Sequence, residues 1–201
     1  MTSRENSQRQ TREKLIAAAV SAVARNGYDA TSIGAIADAA GFTKGAFFSN
    51  FESKDGLLLE VMQRHYETEC ADLTQLIGGG HKDSAAVDRY VDQLVGNVEW
   101  CMLSVELALH ASRNPAFAAR YTPLRRNFAA ALGGLIEQMF TETARGLPGT
   151  PEEIGSLVLA FVQGISLASA SGTREPGASQ SVNLFINGLL ANGHPQKPER
   201  P

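Results

Sequence analysis

The sequence predicts an all-α fold. Apolar residues recur at helical spacing along most of the chain, helix-stop signals separate these stretches, and no strand-length alternation interrupts them. Leu15, Ala18, Ala19, Ala22 and Val23 share one helical face, and Gly27 closes that helix. Ile33, Ile36, Ala37 and Ala40 predict a second, short helix that Thr31 or Ser32 can cap and Gly41 ends. Thr43 can cap a third helix running to about Phe51. Ser53 can open a fourth, which continues through Leu57, Leu58, Val61, Met62 and His65 toward Ile77.

Gly78-Gly79-Gly80 is the clearest break. Helical patterns resume near Ser84, with a possible interruption at Gly96-Asn97, and stop at Asn114-Pro115. The next stretch covers roughly Ala116 to Arg145. Pro151, with Glu152 and Glu153 behind it, opens another helix well, because proline suits the first turn and carboxylates suit the positive end of the dipole. Val182, Phe185, Ile186, Leu189 and Leu190 form the last apolar stripe. The expected division is a helix-turn-helix domain over residues 1–55, a ligand-binding and dimerisation domain over 56–193, and a disordered tail over 194–201.

The composition fits a globular chain. At 201 residues, with 43% hydrophobic and 19% charged, it excludes a disordered or fibrous protein. Two cysteines, Cys70 and Cys101, are too few for a disulfide scaffold and suit a reducing compartment. The polar N-terminus has no secretory run, and the expectation is a cytoplasmic protein. Residues 154–173 carry no charge, but only 11 of the 20 are apolar, so a buried interface helix is a better reading than a membrane span. Net charge is −3, made of +1 over residues 1–55 and −4 over the rest, so the positive excess sits at the front.

The stretch that points to a function is residues 30–58, ATSIGAIADAAGFTKGAFFSNFESKDGLL. A short helix, a turn at Gly41 and a second short helix from Thr43 make a helix-turn-helix. Thr43 brings a hydroxyl and free backbone N–H groups to a helix N-terminus, a natural phosphate contact. Lys44 follows where the first turn of a recognition helix reaches base edges. Gly45 and Ala46 are small enough for close approach. Phe47 and Phe51, one turn apart, would anchor the helix inward and leave Phe48, Ser49 and Asn50 outside. The same spacing also suits a plain helical hairpin.

At these residues the chain resembles the TetR (AcrR-type) family of transcriptional regulators, over about residues 10–60. The resemblance implies that residues 43–50 are the recognition helix. Lys44, Gly45, Phe48 and Asn50 would then face the major groove. Thr43, Ser49 and Lys54 would contact phosphate, helped by Thr31 or Ser32. Position 48 is usually Tyr in this family; Phe48 keeps the apolar contact without the hydroxyl. Position 34, often a longer polar groove contact, is Gly34 here. The family's second domain senses a ligand and dimerises. The implied partners are therefore double-stranded operator DNA, a second copy of the chain and a small apolar organic effector, with no cofactor, metal or membrane. A helical sensor or carrier that no longer uses DNA is the alternative.

For dimerisation, Leu157, Ala160, Phe161, Gly164, Ile165 and Ala168 form one stripe. Paired with Phe185, Ile186 and Leu189, it resembles half of a four-helix bundle shared by two subunits. An intrachain helix pair is the competing reading. For sensing, Leu103, Glu106 and His110 align on one face beside Trp100 and Leu107, and Phe117, Tyr121 and Phe128 would complete an apolar pocket. Glu106 and His110 would be its polar handles; alternatively they pair with each other or with Arg113, and the aromatics are core. Two such residues do not make a metal site. No phosphate-binding loop, dinucleotide fingerprint or nucleophile elbow accompanies them, so an enzyme is not expected.

Overall fold

The computed structural model of the chain describes residues 3–78, 84–140, 148–172 and 177–191. These fold as helices α1 (Ser3–Asn26), α2 (Ile33–Ala39), α3 (Lys44–Phe48), α4 (Lys54–Gly78), α5 (Ser84–Gly96), α6 (Val98–Arg113), α7 (Pro115–Phe140), α8 (Pro151–Ala170) and α9 (Ala178–Ala191). No strand occurs among the described residues. The expected all-α class and the N-terminal helix-turn-helix are present.

Most helix ends follow from local chemistry. Gly27 and Gly41 take positive φ, 86° and 78°, and stop α1 and the α2 segment where a residue with a Cβ would be strained. The Ser32 hydroxyl accepts from the Ala35 N–H at 3.1 Å, so Ser32 rather than Thr31 caps α2. At α8, Thr150 and Glu153 form a reciprocal capping box with Pro151 in the first turn. Asn114 caps α7 by accepting from Phe117 N–H at 3.1 Å. One expectation needs adjusting. α3 spans only Lys44–Phe48 instead of running to Phe51, because the chain turns at Ser49. The expected helix end at Arg145 and the tail over 194–201 lie outside the described residues.

The chain forms two compact units. The first comprises residues 1–65 and 99–122, so most of α6 and the first turns of α7 pack with the N-terminal helices rather than with the later ones. Its core holds Leu15, Val23, Ile36, Phe47, Leu57, Leu58, Leu103, Leu107 and Phe117, all at most 2% exposed. His65 stacks on Trp100 there, with ring centroids 4.0 Å apart.

The second unit comprises residues 66–98 and 123–201. One apolar cluster joins Leu132 and Ile136 of α7 to Ile154 and Val158 of α8. Another joins Val91 and Val95 of α5 to Val182 of α9.

Burial lowers the pKa of His65 to about 4. Between its ordinary value near 6.5 and that depressed value, the unfolded chain binds a proton that the folded chain refuses. Stability from this group is therefore complete above pH 6.5 and falls as the solution is acidified, by up to about 1.4 kcal/mol per pH unit. His65→Phe keeps the stack on Trp100 and should flatten thermal stability between pH 6.5 and 4.5. An unchanged slope in the variant would place the acid sensitivity elsewhere.

Candidate DNA-reading site

α3 carries Lys44, Gly45 and Phe48, which are expected to face the major groove. Phe47 is fully buried and holds the helix to the core, with Phe51 5.7 Å away centroid to centroid. One position along, Phe48 stands 57% exposed, with Lys44, Gly45 and Ser49 also outside. Thr43 caps the helix, its hydroxyl accepting from Ala46 N–H at 3.3 Å. The exposed face of α3 thus presents a cation, a bare backbone and an aromatic ring. Gly34 of α2 lies beneath the Lys44 side chain. A Cβ built on Gly34 would lie 2.6 Å from Cε of Lys44, so the lysine stem lies across the space that glycine leaves on α2.

Three of the proposed DNA contacts are placed differently. Thr31 is 1% exposed, and its hydroxyl donates to the carbonyls of Gly27 at 2.8 Å and Ala22 at 3.2 Å. It ties the α1–α2 connection together and does not face outward. Lys54 is drawn inward as well. Its ammonium donates to the carbonyls of Tyr28 and Thr31, each at 2.7 Å, and sits 3.7 Å from the centre of the Tyr28 ring. Burial lowers its pKa, against the pull of Asp29 and Asp55. Asn50 is half-buried; its amide donates to Ala46 O at 2.8 Å and its Oδ1 is shielded. It completes the end of α3 rather than reaching toward a groove.

Lys54→Ala should consequently act through stability. It leaves two carbonyls without a charged donor, and bonds of that kind contribute about 1.5–3 kcal/mol each, less where water can replace the donor. A loss of about 2 kcal/mol in denaturant unfolding is expected, with the salt dependence of DNA binding unchanged. An unaltered unfolding midpoint together with a shallower salt slope would restore Lys54 as a phosphate contact.

The proposed sensor handles also serve the first unit. Glu106 accepts from Tyr28 N–H at 2.9 Å, and its carboxylate lies 3.2 Å from where a Cβ on Gly27 would stand. His110 stacks on Tyr28 at 3.6 Å, and its Nε2 is 3.4 Å from Asp55. Tyr28 in turn donates its hydroxyl to Asp55, and burial followed by that bond raises its pKa. Neither Glu106 nor His110 pairs with the other or with Arg113. They fasten α6 to the connection after α1, a role that sequence spacing could not disclose. Leu103, Leu107, Phe117 and Tyr121 are core residues of the first unit. Phe128 belongs to the second, stacked on Tyr66 at 4.2 Å.

The expected dimer stripe divides in two. Phe161, Ile165 and Ile186 pack against the Val91–Val95–Val182 cluster, and Phe185 and Leu189 against the other. Phe161 and Phe185 stack at 4.3 Å. These five side chains are half-buried within the chain, as is Ala168. Leu157, 49% exposed, and Gly164 face outward, with Ala160 between them. Sequence reasoning missed Leu184, which is 76% exposed on α9. Its signal was an apolar residue lying off the inward stripe of Val182, Phe185, Ile186 and Leu189.

A short helix-turn-helix whose second helix shows an exposed cation and ring, in an all-α chain, is the arrangement with which DNA-binding regulators of transcription present a recognition helix. Residues 15–61 match the model described as "Bacterial regulatory proteins, tetR family". Residues 15–61 thus carry a TetR-family DNA-binding domain, and this match together with the fold supports a TetR-family transcriptional regulator. Its fold is similar to a TetR-family regulator from Rhodococcus sp., with TM-score 0.73, 17% identity, and 90% of this chain and 98% of that one covered. It is also similar to the regulator FadR from Bacillus subtilis in complex with stearoyl-CoA, with TM-score 0.71, 15% identity, and 90% and 99% covered. A regulator from Saccharomonospora viridis in complex with choline matches with TM-score 0.65, 17% identity, and 90% and 95% covered. No curated protein matches the chain.

Proposed function

We propose that this protein is a homodimeric repressor that binds a palindromic operator and is released by a small, mostly apolar organic effector. The observation that carries the reading is the outward face of α3, where Lys44 and Phe48 are exposed beside a fully buried Phe47. Lys44 reads a base edge and Phe48 makes an apolar contact, such as to a thymine methyl. Thr43, Ser49 and Ser32, all exposed at helix ends, supply phosphate contacts. Two copies are needed because one five-residue helix offers few contacts. The apolar outward face of α8 and α9 supports pairing through Leu157, Ala160, Gly164 and Leu184. α8 is long and apolar enough to cross a membrane, yet only 28% of its apolar window is buried within the chain, which leaves a face for a second copy. The stearoyl-CoA and choline complexes of two relatives support an organic effector.

The test is Lys44→Ala on a duplex selected by the wild-type protein from a random library. A base-reading lysine should cost discrimination of about 1–3 kcal/mol at one position per half-site. Equal losses on all sequences would reduce Lys44 to a phosphate contact, and no selected duplex at all would leave a sensor that does not use DNA.

A further inference from the structure

α3 has only five residues, too few to hold its own shape, so its direction must be set from outside. Its start is capped by Thr43 and its middle anchored by Phe47. What fixes its far end is Arg12, 38 positions earlier on α1. One terminal nitrogen of the Arg12 guanidinium donates to the backbone carbonyl of Asn50, just past the end of α3. The other donates to Glu60 Oε2 on α4, and Nε donates to Glu60 Oε1 at 3.2 Å. The guanidinium lies 4.1 Å from the centre of the Phe51 ring.

Glu60 is itself braced by Arg64 at 2.6 Å, and Arg64 by Glu13 of α1 at 2.8 Å. All three guanidinium nitrogens and its flat surface are thus engaged by α1's neighbours, and the cation stands at the carbonyl end of α3, where the helix dipole favours it.

We propose that Arg12 is a positioning residue for DNA reading: it locks the far end of α3 to α1 and α4 and so sets the angle at which Lys44 and Phe48 are presented. The inference rests on α3 being the recognition helix. Arg12 itself does not contact DNA. Without it the Asn50 carbonyl is hydrated and Glu60 keeps Arg64, so the fold survives while α3 loses its fixed pose. A helix free to tilt still meets phosphates but no longer matches base edges. Specific binding therefore falls further than non-specific binding.

The experiment compares full-length wild type, Arg12→Ala, Arg12→Lys and Glu60→Gln. The probes are a duplex selected by the wild type from a random library and a scrambled duplex of the same length, each over a range of salt. Arg12→Ala should lose about ten- to a hundredfold on the selected duplex, the scale of one charge-assisted bond, and far less on the scrambled one. Its salt slope should stay that of wild type, and its helix content should be unchanged. Arg12→Lys, which reaches Glu60 or Asn50 but not both, should recover part of the loss. Glu60→Gln should give a smaller loss in the same pattern, and serves if Arg12→Ala fails to fold.

Equal losses on both duplexes with a slope lower by about one would overturn the proposal in favour of a phosphate contact. Wild-type affinity in Arg12→Ala and Glu60→Gln would overturn it outright. If Lys44→Ala retains full discrimination, the failure belongs to the reading of α3, and the proposal falls with it.

Discussion

Gly155→Ala should unfold the second unit or destabilise it by more than about 3 kcal/mol, the upper end of the usual overpacking range. A Cβ on Gly155 would stand 1.8 Å from the carbonyl oxygen of Ala129 and 3.0 Å from the nitrogen of Gly133. The approach is mutual, since a Cβ on Gly133 would stand 1.7 Å from the carbonyl oxygen of Pro151. Both obstacles are backbone, so no rotamer change relieves them. α7 and α8 would have to separate, opening the cluster of Leu132, Ile136, Ile154 and Val158. Gly134→Ala is the matched control: nothing lies within 4 Å of its Cβ, and helix propensity should make it neutral or stabilising by up to about 1 kcal/mol. Thermal unfolding followed by circular dichroism separates the two, and equal melting curves would contradict the close crossing.

Leu184→Asp and Leu157→Asp should each yield a folded monomer that has lost more than about a hundredfold in operator affinity, since paired half-sites depend on a paired protein. In the monomer both positions are open to water, at 76% and 49% exposure, so a carboxylate there is harmless. Buried without a partner in a dimer interface, it is costly. Phe161→Asp should behave differently, because Phe161 stacks on Phe185 and packs against the core of its own chain. That variant should lose folding stability as well as pairing. Sedimentation with parallel DNA binding checks all three, and an intact dimer in both leucine variants would mean that copies pair by another surface.

Local chemistry was legible in the sequence wherever the cause was local. Ser32 and Thr43 cap helices because a hydroxyl three residues ahead of a free N–H satisfies it, whatever the rest of the chain does. Phe47 inward with Phe48 outward follows from a 100° step on a helix anchored by one aromatic. Polar contacts between distant parts of the chain were not legible. Lys54 and Thr31 sit where phosphate contacts were expected, yet their partners are carbonyls that become neighbours only when the α1–α2 connection folds back. Glu106 and His110, aligned on one face, read as pocket handles, but they serve Tyr28, 78 and 82 positions away.

The sequence by itself determined that the chain is helical, where most helices start and stop, and that residues 30–58 form a helix-turn-helix of the TetR kind. Periodicity, caps and glycine turns are properties of a few neighbouring residues, so they survive without a tertiary structure. Only the tertiary structure decided which polar groups look outward and which apolar stripes are already used. Arg12 reaches Asn50 and Glu60, Lys54 turns in to two carbonyls, and Phe161 packs inside its own chain while Leu184 does not. A long side chain bonds to whatever group packing brings within about 3 Å, and that group's place in the sequence is unrelated to its distance in space.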